Sequence, residues 1–180
     1  MTDRLRELFL QRAVQFGRFT LASGKVSGYY INSKDVLFHP EALTLLGEAL
    51  YQVTCDLAPS AVGGLEVGAI PLTAAVLMAY HQHGRHAEGF FVRKQAKAHG
   101  SLKLVEGRLA SGDRVVVVDD VLTTGGSALQ AVRAVEAVGA TVVRVVCVCD
   151  RLQGAADTLA GYDFRPLFTV RDLGIDPDQP

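Results

Sequence analysis

The sequence predicts an α/β protein with an open, mostly parallel sheet flanked by helices. Three observations carry that expectation. Val115, Val116, Val117 and Val118 form an unbroken β-branched run, of the kind buried on both faces of a parallel sheet. Residues 142–149 form a second, valine-rich strand candidate. Between them, residues 129–138 are helical in character and stop at Gly139, giving the strand, helix, strand order that a parallel crossover needs.

The other elements follow in order. Leu5, Leu8, Phe9, Ala13 and Phe16 recur at helical spacing, so an amphipathic first helix should run up to Gly17. Residues 19–34, rich in Gly, Ser and Tyr, should form short strands and turns. His39-Pro40 opens a second helix through Leu43, Leu46, Ala49, Leu50 and Val53, with Pro40 in its first turn. Residues 61–64 make a short strand, 70–83 a third helix and 88–92 another strand. Residues 93–104 are basic, polar and aperiodic. The 180 residues contain no repeat and no linker, so one domain is expected.

Composition narrows the function. A formal net charge of −1 gives no global field that would draw the protein to nucleic acid or an anionic membrane, so any phosphate site must be local. The apolar runs fall short of the roughly 20 residues of a membrane span, and the charged N-terminus reads as mature protein. Cys55, Cys147 and Cys149 make no disulfide framework, and Cys147 and Cys149 alternate with valines as small core residues would. The expectation is a reduced, cytoplasmic protein. His39, His81, His83 and His86 lack metal-ligand spacing.

The most informative segment follows the valine run: Asp119 and Asp120, the spacers Val121 and Leu122, then Thr123, Thr124, Gly125, Gly126 and Ser127. Ligands of open α/β sheets bind at the carboxyl ends of strands. A turn of small residues at a helix start offers free backbone N–H groups to an anion, and its glycines allow close approach. The carboxylates cannot themselves hold phosphate. Their partners are ribose hydroxyls or a divalent metal. Each half alone could be a solvated strand end or a helix cap; together they ask for a phosphorylated ribose. No Walker loop and no G-x-G-x-x-G is present.

Four apolar residues, two acids, two spacers and a T-T-G turn resemble the signature with which type I phosphoribosyltransferases bind phosphoribosyl pyrophosphate (PRPP). The resemblance implies that Asp119 and Asp120 hold the ribose hydroxyls. It also implies that Thr123, Thr124, Gly125, Gly126 and Ser127 wrap the 5′-phosphate, with Val121 and Leu122 lining the same PRPP site. Arg93, Lys94, Lys97 and His99 place four basic groups within seven residues, either as a solvated loop or as a clamp for pyrophosphate. Their pattern R-K-x-x-K-x-H-G resembles the catalytic loop of orotate phosphoribosyltransferases in particular. That implies Lys97 as the principal catalytic lysine, and Arg93, Lys94 and His99 as ligands of PRPP and pyrophosphate. It also implies a homodimer in which the loop reaches the neighbouring subunit's site.

Two more segments agree. Residues 19–30 look like the family's N-terminal hood over the base, which sets the expected layout: a hood over about 1–35 and a core over about 36–170. Asp150-Arg151, after the second valine-rich strand, looks like the family's orotate contact, with Thr123 beside it. An arginine suits a carboxylated base, since its guanidinium grips a carboxylate with two hydrogen bonds. Mg²⁺ is implied as a companion of PRPP, without a direct protein ligand. Ala22 and Val67 stand where many members of the family carry lysines. The expected reaction is transfer of phosphoribose to orotate on the route to UMP; the alternatives are another nucleobase on the same fold, or a PRPP-sensing regulator.

Overall fold

The computed structural model describes residues 2–20, 26–95 and 103–177. Lys97, His99 and Ala22 lie outside them.

The chain runs α1 (Thr2–Ala13), β1 (Val14–Thr20), β2 (Val26–Ile31), α2 (Lys34–Leu37), α3 (Pro40–Gln52), β3 (Ala61–Leu65), α4 (Ala69–Gln82), β4 (Glu88–Val92), β5 (Val105–Gly107), β6 (Arg114–Leu122), α5 (Gly126–Ala137), β7 (Thr141–Asp150), α6 (Ala155–Thr158) and β8 (Phe164–Thr169). Six strands form one sheet in the order β5-β4-β3-β6-β7-β8. Every pair is parallel except β4 with β5. The hairpin β1–β2 is a separate antiparallel sheet.

Period-two alternation along β6 sorts the core into two layers. Val116 and Val118 pack with Leu5, Leu46, Leu72 and Val76 of α1, α3 and α4. Val115 and Val117 pack with Val132 and Val135 of α5 and with Leu159. From β3 the chain passes through α4 to β4 on one side, then returns to β6 on the other. The carboxyl ends of β3 and β6 therefore flank a topological switch point, where such sheets open a crevice.

The end of α1 and the start of α5 depart from the sequence expectation. α1 ends at Ala13, not Gly17, because Val14 to Phe16 pair with Tyr29 to Ile31, and Phe16 is left 65% exposed. Strand pairing there overrides the helical spacing. Within the stretch read as hood, α1 is built into the core through Leu5, Leu8 and Phe9, and the hairpin, though a separate sheet, joins the same core through Val14, Tyr29 and Ile31. α5 begins three residues early, at Gly126. β8 carries Pro166, and its place at the sheet edge is where a residue without an N–H is tolerated.

Cys147 and Cys149 are fully buried on β7, and burial pushes the Cys149 thiol up to about 12, so it is a packing group rather than a nucleophile. Among the described residues, no helix is long and apolar enough to cross a membrane.

Candidate active site

The alternation that sorts the valines also separates the two acids. Asp119 shares the parity of Val115 and Val117 and faces α5, where it accepts a 2.7 Å hydrogen bond from the Ser127 hydroxyl. Asp120 shares the parity of Val116 and Val118 and faces the opposite layer. There it accepts hydrogen bonds from the Ser33 hydroxyl and, at 3.4 Å, from the Lys34 ammonium. Each carboxylate also accepts from the backbone just after it: Asp120 N–H to Asp119 and Val121 N–H to Asp120, both 2.9 Å.

Gly68, at the start of α4, brings bare backbone against Asp120. A Cβ there would overlap the Asp120 carboxylate, so a side chain at this position would displace the acid.

Burial, and then the charge of Asp120, push the Asp119 carboxyl up to about 7. For Asp120, burial alone would act the same way, but the Ser33 hydrogen bond and the Lys34 charge outweigh it and hold the group below its ordinary range. The pair is thus poised at neutral pH with Asp120 ionised and Asp119 able to take or release a proton.

The turn after β6 has the form of an anion cradle. Gly125 adopts φ +81°, a left-handed conformation that favours glycine, and its carbonyl accepts the first helical bond of α5, from Leu129 at 3.0 Å. The N–H groups of Gly126, Ser127 and Ala128 lie in the first turn, where a helix offers them no internal acceptor. Thr123 is half-buried and Thr124 exposed beside them.

Arg151 lies at the end of β7, its N–H bonded to the Leu122 carbonyl at 2.9 Å, which ties it to the end of β6. Read alone in the sequence it is an ordinary surface arginine; in the structure it is 6% exposed. Its guanidinium carbon stands 4.7 Å from the centre of the Tyr29 ring, and Nε reaches the Tyr29 hydroxyl at 3.4 Å. Nη2 is buried without a hydrogen-bond partner, and no carboxylate among the described residues forms an ion pair with it.

Arg93 and Lys94 leave the end of β4 next to this crevice. Arg93 makes a 3.9 Å ion pair with Glu106, and its N–H bonds the Leu104 carbonyl at 2.8 Å. No cluster of three metal-ligating side chains occurs among the described residues.

A phosphoribosyl transferase domain model matches residues 33–166. The orotate phosphoribosyltransferase of Rhodopirellula baltica is 43% identical over 173 residues, covering 92% of this chain and 90% of that protein. This chain belongs to the orotate phosphoribosyltransferase family. The crystal structure of Mycobacterium tuberculosis orotate phosphoribosyltransferase with Fe(III) dicitrate superimposes with a TM-score of 0.85 at 42% identity, covering 97% of this chain and 99% of that one. The same enzyme in complex with PRPP gives a TM-score of 0.81 at 38% identity, with the same coverage.

The structure gathers most residues singled out in the sequence at one crevice of this orotate phosphoribosyltransferase fold: Asp119, Asp120, the 121–127 turn and Arg151. Sequence reasoning missed Ser33, Lys34 and Gly68. All three sit against Asp120 from segments more than 50 residues away, and nothing local in N-S-K or V-G-A announces an acid as partner. Tyr29 was legible only as part of the hood, not as the support of Arg151.

Proposed function

We propose that this chain transfers the phosphoribosyl group of PRPP to orotate, giving orotidine 5′-monophosphate and pyrophosphate, a step on the route to UMP. Arg151 is the observation that carries the reading. A buried guanidinium with an unpaired Nη2 is electrostatically incomplete, and burying such a charge without a counter-ion is costly. An anionic base completes it; a purine or uracil leaves it unmatched. The orotate carboxylate lies on Arg151, with the Thr123 hydroxyl beside the base.

The ribose hydroxyls of PRPP donate to Asp119 and Asp120, and the 5′-phosphate accepts from the 123–127 turn at the α5 N-terminus. The bond from the anomeric carbon to pyrophosphate breaks as a ring nitrogen of orotate bonds the opposite face, the proton of that nitrogen passing to the leaving pyrophosphate or to water. Positive character on the ribose falls beside the ionised Asp120. Negative charge on the leaving pyrophosphate is met by Arg93 and Lys94, and by Lys97 and His99 from a partner subunit of a homodimer. Positioning and charge stabilisation supply most of the rate. Mg²⁺ would arrive with PRPP; among the described residues no three metal-ligating side chains cluster to cage it. Bound that way, Mg²⁺ would supply charge neutralisation to the pyrophosphate. The setting is cytoplasmic.

A spectrophotometric assay with Mg²⁺, PRPP and orotate tests the reading, with adenine, guanine, hypoxanthine and uracil as competitors. Orotate alone should be consumed. Purine turnover at a comparable rate would overturn it.

A further inference from the structure

Lys94 is held by its backbone rather than left as the free start of a basic stretch. Its N–H donates to the Glu66 carboxylate at 2.9 Å, and its carbonyl accepts from the Gln130 side-chain amide at 3.2 Å. Glu66 in turn donates its own N–H to the Val92 carbonyl at 2.8 Å, which fixes the turn before α4 against the end of β4.

The two side chains come from opposite sides of the crevice. Glu66 is two residues from Gly68, whose backbone lies against Asp120. Gln130 is three residues along α5 from Ser127, whose hydroxyl bonds Asp119. Lys94 is thereby tied through its peptide groups to both acids, by one short covalent path on each side. Both Glu66 and Gln130 reach the Lys94 backbone with their side chains. One oxygen of the Glu66 carboxylate is engaged by the Lys94 N–H.

We propose that Glu66 and Gln130 are positioning residues that set the Lys94 backbone in register with the Asp119–Asp120 pair, and so fix where its ammonium meets the pyrophosphate of PRPP. The proposal rests on the reading of Lys94 as a PRPP ligand.

The test is a double-mutant cycle in the full-length enzyme, read as kcat and as KM for PRPP, with melting temperature alongside. Gln130 is exposed on its helix, so Gln130→Ala should fold normally. Gln130→Ala and Glu66→Ala should each lower kcat/KM for PRPP about tenfold, the worth of one hydrogen bond, with KM for orotate unchanged. Glu66→Gln keeps an acceptor oxygen and should retain nearly full activity. In a Lys94→Ala background, Gln130→Ala and Glu66→Ala should cost nothing further, since they act only through Lys94. Equal losses with and without the lysine overturn the proposal, as does full activity in both alanine variants. If Lys94→Ala itself leaves PRPP use intact, the ligand role of Lys94 fails and the proposal with it. Orotate turnover by the unaltered enzyme is the control that separates these failures from failure of the assigned reaction.

Discussion

Replacing Asp119 with asparagine isolates what it costs to keep a carboxylate in the crevice. Burial first, and the charge of Asp120 second, push the Asp119 carboxyl from an ordinary 3.8 to about 7. A carboxyl whose pKa rises on folding holds its proton more tightly in the native state. Its contribution to stability is therefore full below about pH 4 and is lost as pH climbs to about 7. With each pH unit worth about 1.4 kcal/mol, the interval amounts to roughly 4 kcal/mol. The substituted amide would still offer Ser127 a hydrogen-bond partner but carries no charge to desolvate. In ligand-free protein, Asp119→Asn should therefore raise Tm increasingly from pH 5 to pH 8, reaching roughly 8–16 °C at 2–4 °C per kcal/mol for a chain of this length. Starting at pH 5 avoids the range in which Asp120, held low, begins to take a proton and to act in the opposite sense. Thermal melts across that range, with orotate turnover measured in parallel, are the assay. Activity should fall by about 10²–10³ while stability rises. A Tm difference that stays flat from pH 5 to pH 8 would show that Asp119 ionises at its ordinary value, and the burial argument would be refuted.

Arg151→Gln should raise KM for orotate by about 2–3 kcal/mol, roughly 30- to 150-fold, and leave KM for PRPP in place; an unchanged orotate KM removes Arg151 from the base site. Arg151→Leu should abolish orotate use without lowering Tm, because it removes a buried charge that has no carboxylate partner among the described residues; a large fall in Tm contradicts this. Gly68→Ala should cut PRPP affinity at least about tenfold, since its Cβ would collide with Asp120, whereas Gly161→Ala, with open space around it, should be silent in calorimetry; equal behaviour of the two refutes the packing argument. Co-refolding Asp120→Ala and Lys97→Ala chains, each nearly inactive alone, should restore about a quarter of wild-type activity if the lysine serves the partner's site, because about half the dimers are mixed and each mixed dimer has one intact site. No recovery from a demonstrated heterodimer rules out that arrangement.

Where the sequence was legible, a single local signal sufficed. The valine run marked β6 and its parity, and parity alone separates the faces of Asp119 and Asp120. The T-T-G-G-S turn announced the start of a helix, although α5 begins at Gly126, before its first strongly apolar residue. Legibility ended where partners come from far along the chain. Ser33 and Lys34 read as the end of a stretch of short strands and turns, yet they set the protonation of Asp120 across 86 or more residues. Phe16 matched a helical stripe and became strand, because the hydrogen-bonding demand of β2 is invisible from residues 5–17 alone. The burial of Arg151 depends on Tyr29, which is 122 positions away, so composition around residue 151 could only suggest a surface arginine.

That Tyr29–Arg151 contact bears on how such a catalyst can change its diet. The groups proposed to grip sugar and phosphate occupy one continuous strand–turn–helix, residues 119–127, while the arginine proposed to read the base stands outside it and leans on a strand from the other end of the chain. Substitutions at 29 and 151 can therefore explore new bases without disturbing the handling of PRPP. A selection for altered nucleobase use should accumulate its changes around those two positions and, within the 119–127 segment, at Thr123 alone.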